Sequence, residues 1–109
     1  MTILDKILAE KEKEVADLKE SYQPGQIQAK RVNVSLYDTF MNADKMSIIA
    51  EMKRASPSKG LINDGVEPSA QGRIYETCGA GAISVLTDTP FFQGTMEDMQ
   101  EVREVVDVP

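Results

Sequence analysis

Apolar positions recur along this chain in two different periods. Ile3, Leu4, Ile7, Leu8, Val15 and Leu18 fall at intervals that place them on one broad helical face. Thr2 precedes them with Asp5 three positions later, which is capping-box spacing, so the pattern predicts a helix over 2–20. Pro24-Gly25 breaks that helix, and 21–35 reads as an irregular connector. Leu36, Phe40 and Met41 return to helical spacing and predict a short helix over 35–42. The pattern then changes. Ile48-Ile49-Ala50 runs straight into Glu51, Lys53 and Arg54, which predicts a strand over 46–53 followed by the polar turn Ser56-Pro57-Ser58, closed by Gly60. Asn63-Asp64-Gly65 is turn chemistry, and Pro68 suits the first turn of a helix. Ala70, Ile74 and Cys78 form a narrow apolar stripe on that helix, and Gly79 and Gly81 stop it. Ala82 to Thr87 reads as a buried strand. Thr95 and Asp98 repeat the capping-box spacing before a last helix whose apolar face is Met99, Val102, Val105 and Val106.

From residue 46 onward the order is therefore strand, helix, strand, helix. That alternation predicts an α/β fold with a parallel sheet and helices outside it. Both strands end in polar and aromatic loops on the same rim, where such folds place their sites. Two parallel strands leave faces and edges open. The chain stops on Val108-Pro109, where a further strand is expected. It reads either as an unusual small protein or as a piece of a larger one. Self-association through open strand edges is the corresponding non-catalytic reading.

Composition narrows the chemistry. There are 109 residues, enough for one small domain. The net charge is −6, and the acidic surplus sits in residues 51–109, with ten acidic residues against five basic. A chain this acidic is a poor general nucleic-acid binder. Three of those five basic residues, Lys53, Arg54 and Lys59, crowd into one turn and suggest a small anionic ligand. There is no His and a single Cys, which excludes His-based metal sites and an intrachain disulfide. Cys78 is expected to be a core thiol. No apolar run approaches the roughly 18 residues of a membrane helix. The early acidic residues do not fit a secretion signal, so a cytoplasmic protein is expected, with no membrane partner.

Glu51 and Lys53 are two apart and share one face of their strand. From spacing alone they are equally an ion pair decorating the strand end and a catalytic pair. Both are expected to point into the buried face, where charges are costly unless paired or used. Ser56 and Ser58 flank Pro57 and, with Lys53 and Lys59, offer an anion-binding turn. Phe91-Phe92 either plugs the core under its loop or stacks on a flat ligand.

The string Ile49-Ala50-Glu51-Met52-Lys53-Arg54-Ala55-Ser56-Pro57-Ser58-Lys59-Gly60 closely resembles the first-strand signature of the indole-3-glycerol-phosphate synthase family. Gly79 to Asp88 with Phe91-Phe92-Gln93-Gly94 is similar to that family's second strand and loop. Residues 2–20 are similar to the extension before its barrel. The resemblance implies a partial TIM (β/α)8 barrel, with 1–45 as a helical extension and 46–109 as the first two βα units. It implies a lyase that converts 1-(2-carboxyphenylamino)-1-deoxyribulose 5-phosphate to indole-3-glycerol phosphate without a cofactor or metal. Glu51 is implied in acid–base chemistry and Lys53 in engaging the anionic substrate. Ser56 would bind an anionic group, and Pro57 and Phe92 would line the slot for the anthranilate ring. A barrel needs about 250 residues. The family's second lysine, a further carboxylate and its phosphate-binding loops belong to later strands, so residues 1–109 alone are expected to be inactive.

Overall fold

The computed structural model describes residues 1–23 and 33–109. The predicted break at Pro24-Gly25 and most of the connector lie outside the described residues. The chain divides into two compact units, Met1–Val32 and Asn33–Pro109.

In the first unit, α1 spans Ile3–Ser21. The expected capping box is present: Asp5 N donates to Thr2 Oγ1 at 3.2 Å and Thr2 N donates to Asp5 Oδ2 at 2.8 Å. These bonds hold the Asp5 carboxyl below the usual carboxylate range. Lys11 and Glu14 pair at 2.8 Å. No residue of α1 is buried, and Leu4, Leu8, Val15 and Leu18 are exposed.

The second unit begins with α2, Leu36–Met41, capped by Ser35 Oγ, which accepts from Asp38 N at 3.1 Å. Then come β1 (Ile49–Met52), β2 (Ala55–Ser56), β3 (Gly60–Leu61), α3 (Pro68–Thr77), β4 (Ala82–Val85) and α4 (Met96–Val105). β1 and β4 pair in parallel, from Ile49 opposite Ala82 to Met52 opposite Val85. The unit is thus α/β with a parallel sheet, as the alternation predicts. Both strands are shorter than the spans predicted for them, 46–53 and 82–87. Leu86 N adds one further bond to Met52 O at 3.3 Å. The antiparallel β2–β3 hairpin is absent from the sequence reading, which showed only its turn. Gly60 closes it at φ 64, a conformation that suits glycine.

The core lies between the sheet and helices α3 and α4. Alternation turns Met52, Ile83 and Val85 toward the helices, where Met52, Val102 and Val106 are buried, with Val66, Ile83, Val85, Val105 and Val108 packed against them. α3 meets α4 at Gly72, where an added Cβ would sit 3.1 Å from Val102 Cγ1. The stripe predicted for α3 is therefore corrected. Ala70, Ile74 and Cys78 are exposed, and Pro68 and Gly72 turn inward. Cys78 is not a core thiol. Apolar periodicity pointed to the wrong face because close helix contact here depends on a missing side chain.

Beyond α4, Glu76 Oε2 accepts from Asp107 N at 2.6 Å and Val108 N at 3.2 Å. Ile83 N then donates to Pro109 O at 2.9 Å. The segment after α4 is thereby held along the edge of β4 that faces away from β1. No described helix is long and apolar enough to cross a membrane.

Candidate functional site

The parallel register decides what surrounds Glu51. It sets Ser84 opposite Glu51 on the same face of the sheet. Ser84 Oγ donates to Glu51 Oε2 at 3.0 Å, and Lys53 Nζ lies 3.2 Å from Glu51 Oε1. Each carboxylate oxygen thus has its own partner. Lys53 Nζ also lies 5.9 Å from the centroid of the Phe92 ring, within cation–π range. The ammonium therefore sits between an anion and an aromatic ring. The expectation that this pair is buried is corrected. The Lys53 and Glu51 side chains are 36% and 44% exposed. Helices α3 and α4 pack on the opposite face of the sheet, and Ile49 beside Glu51 is exposed too.

A cleft of ≈ 390 Å³ opens along β1, lined by Glu51, Met52, Lys53, Ile62, Asn63, Val66, Gln71 and Tyr75. Its lining draws on both sides of β1: Met52 and Val66 belong to the helix side, whereas Glu51 and Lys53 pair on the opposite side. Tyr75 Oη donates to Glu51 O at 3.1 Å and fixes the strand from the α3 side.

Phe92 stands on a tightly bonded loop. Phe91 N donates to Asp88 Oδ2 at 2.8 Å, Gln93 N to Thr89 O at 3.0 Å, Gly94 N to Asp88 O at 2.8 Å, and Thr89 Oγ1 to Gly94 O at 2.7 Å. Both Phe91 and Phe92 are half-buried. Of the two readings for these rings, Phe92 takes a position beside the charged pair.

The Ser56–Pro57–Ser58 turn is a separate group on the β2–β3 hairpin. Ser56 is buried, its Oγ accepting from Lys59 N at 3.1 Å and lying 3.4 Å from Ser58 Oγ. Pro57 and Ser58 are exposed at the tip. The structure therefore brings together Glu51, Lys53 and Phe92, and separately Ser56 and Ser58.

The positive spot expected from Lys53, Arg54 and Lys59 is corrected at Arg54. Its guanidinium grips both oxygens of Asp98: Nη1 donates to Oδ2, and Nη2 donates to Oδ1 at 3.1 Å. Nη2 also donates to Val66 O at 3.3 Å and Nη1 to Gln93 O at 3.4 Å. In the two-residue link between β1 and β2, Arg54 turns toward α4 while Lys53 turns toward Phe92. Asp98 is 7% exposed and also closes the α4 capping box with Thr95. Hydrogen bonding to Arg54 holds the Asp98 carboxyl below the usual range, against the opposing effect of its burial. The same pairing raises the Arg54 guanidinium.

A carboxyl with a lowered folded pKa stabilises the fold above the ordinary Asp range. That stabilisation disappears as pH falls through the folded value. The expected result is that Asp98→Asn is less stable than the parent at pH 7, with the two urea-unfolding curves drawing together as pH falls below the ordinary Asp range and through the lowered folded value. A stability gap that persists unchanged in acid would show that the carboxylate charge is not its source.

The sequence reading missed Ser84, Tyr75 and Arg54–Asp98 as parts of this region. Asp98 was legible only as a cap, and Ser84 needed the strand register. Among the described residues, no group of three or more His, Cys, Asp or Glu could hold a metal ion.

The profile of the family described as indole-3-glycerol phosphate synthase matches residues 4–109. A protein of that name from Listeria welshimeri is 50% identical over 111 residues, covering 100% of this chain and 42% of the relative. One from Bacillus cereus (strain G9842) is 50% identical over 108 residues, covering 99% of this chain and 41% of its own length. One from Listeria monocytogenes (strain EGD-e) is 49% identical over 110 residues, covering 100% and 42%. The chain thus spans about 42% of the length of the curated relatives it matches. The match runs through the capped first helix, the Glu51–Lys53 strand and the Phe92 loop alike, so the chain belongs to the indole-3-glycerol phosphate synthase family.

Proposed function

We propose that residues 1–109 supply the first wall of an indole-3-glycerol-phosphate synthase active site. The observation that carries this reading is the Glu51–Lys53–Phe92 cluster, set at the carboxyl ends of two neighbouring parallel strands. On this reading 46–109 form the first two units of a (β/α)8 barrel, and 1–45 form a helical extension before it. A closed barrel would place Ile49 and Ala82 in its interior and Glu51, Ser84 and Lys53 toward its mouth. The main-chain bond from Ile83 to Pro109 supports growth of the sheet on the far edge of β4.

The substrate carries an anthranilate carboxylate and a phosphate. Its conversion joins the aromatic ring to the former ketone carbon and releases carbon dioxide and then water. Lys53 neutralises charge on the substrate and on the oxygen that becomes negative as the ring closes. Glu51, within reach of Lys53, exchanges protons during closure and dehydration. Phe92 and Pro57 line the ring slot, and Ser56 and Ser58 hold an anionic group. These steps form one carbon–carbon bond, break another as carbon dioxide leaves, and expel the former ketone oxygen as water, all by proton movement, so side chains suffice as acids and bases.

The test is formation of indole-3-glycerol phosphate from the carboxyphenylamino substrate by the full-length protein that contains residues 1–109. Turnover is expected there, and none is expected from residues 1–109 alone, whose charged pair lies open to water. A folded full-length protein without turnover would sink the reading.

A further inference from the structure

We infer that Arg54 is a positioning residue that sets Phe92 against Lys53 by latching the β4–α4 loop to the end of β1. The connections form a closed circuit. Lys53 lies under the Phe92 ring, Phe92 is bonded to Gln93, Gln93 O accepts from Arg54 Nη1, and Arg54 is bonded to Lys53. The latch is anchored outside the circuit by the fork on Asp98 and by Val66 O. A guanidinium is suited to this task because its donors are fixed in one plane, so the Asp98 fork also aims it at Gln93.

The backbone of Gln93 supports the same conclusion. Its φ is 56, the only described non-glycine residue with a positive φ. That region is unfavourable for a residue with a Cβ and persists only where surrounding contacts impose it. Here Gln93 N is held by Thr89 O and Gln93 O by Arg54. The strained residue is the neighbour of Phe92, so releasing the carbonyl releases the ring.

Asp98 would by itself be a helix cap, and Arg54 a half-buried partner for it. A structural pair alone would not require the Gln93 contact. The two roles separate experimentally. In the full-length protein, Arg54→Lys keeps the charge but loses the fork. The expected result is a KM for the carboxyphenylamino substrate raised by about tenfold or more, with kcat reduced much less, because a displaced ring slot weakens ground-state binding. Asp98→Asn, which keeps an acceptor for Arg54, is expected to fall between the two.

The kinetic arm rests on the proposed function, so a second readout is independent of turnover. 4-Fluorophenylalanine placed at position 92 reports the ring's surroundings by fluorine NMR. Arg54→Lys is expected to move that resonance toward the solvent-exposed value while circular dichroism remains that of the parent. An unchanged resonance in the folded variant overturns the inference, whatever happens to activity. A parent without turnover but with a shifted resonance would remove the proposed function and leave the latch. Arg54→Met, the more severe variant, adds to the test only if it folds; Arg54→Lys carries it otherwise.

Discussion

Glu51→Gln is expected to lower kcat of the full-length protein by about 10²–10⁴-fold, the range of a lost general acid–base group. Gln is nearly isosteric with Glu, and its amide carbonyl oxygen still accepts a bond such as the one from Ser84 Oγ to Glu51 Oε2. Local structure should therefore survive, and the change isolates proton transfer and the charge paired with Lys53 at 3.2 Å. Lys53→Met should affect KM as well, because the ammonium is assigned to the anionic substrate. Steady-state kinetics of both variants, with thermal unfolding as a control, measures the distinction. If Glu51→Gln retains activity within about threefold of the parent, well short of that range, the pair is decoration on a strand end and the catalytic assignment fails.

Gly94→Ala is expected to cost about 3 kcal/mol, the upper part of the range for overpacking. An added Cβ would collide with the carbonyl oxygen of Leu86 and come within 2.6 Å of its carbonyl carbon. The obstacle is backbone, which cannot rotate aside as a side chain does. Either the end of β4 or the loop from Asp88 to Thr95 must move. Moving the loop threatens the bonds from Gly94 N to Asp88 O and from Thr89 Oγ1 to Gly94 O. Chemical denaturation of the parent and the variant gives the cost. A loss below about 0.5 kcal/mol, the scale of an ordinary surface substitution, would show that the loop accommodates a side chain there.

Much of this fold was legible because local chemistry and tertiary structure agree. The capping boxes at Thr2 and Thr95 form as their spacing predicts. Pro68 opens α3, and the two parallel strands lie where apolar runs meet turn signals. The failures have specific causes. The buried face of α3 is set by Gly72, and periodicity cannot register the absence of a side chain. The Glu51 face is open because burial of a strand depends on elements distant in sequence. At the site, the Glu51–Lys53 pairing follows from alternation within one strand. Ser84 and Phe92 join it only through pairing between strands. Arg54 was grouped with the lysines by charge, yet its partner Asp98 lies 44 positions away, beyond the reach of local pattern.

The hold that Glu76 exerts on the segment after α4 has a consequence for hydrogen exchange and strand alignment. A chain segment flanking a helix ordinarily frays and exchanges its amides quickly. Here the amides of Asp107 and Val108 are tied to α3, and Pro109 supplies the acceptor for Ile83. These three amides should therefore open together with the α3–α4 core. Because a slip of one residue would turn every side chain to the opposite face, the alignment of main chain along this edge of β4 is decided within residues 76–109, by one carboxylate and one carbonyl.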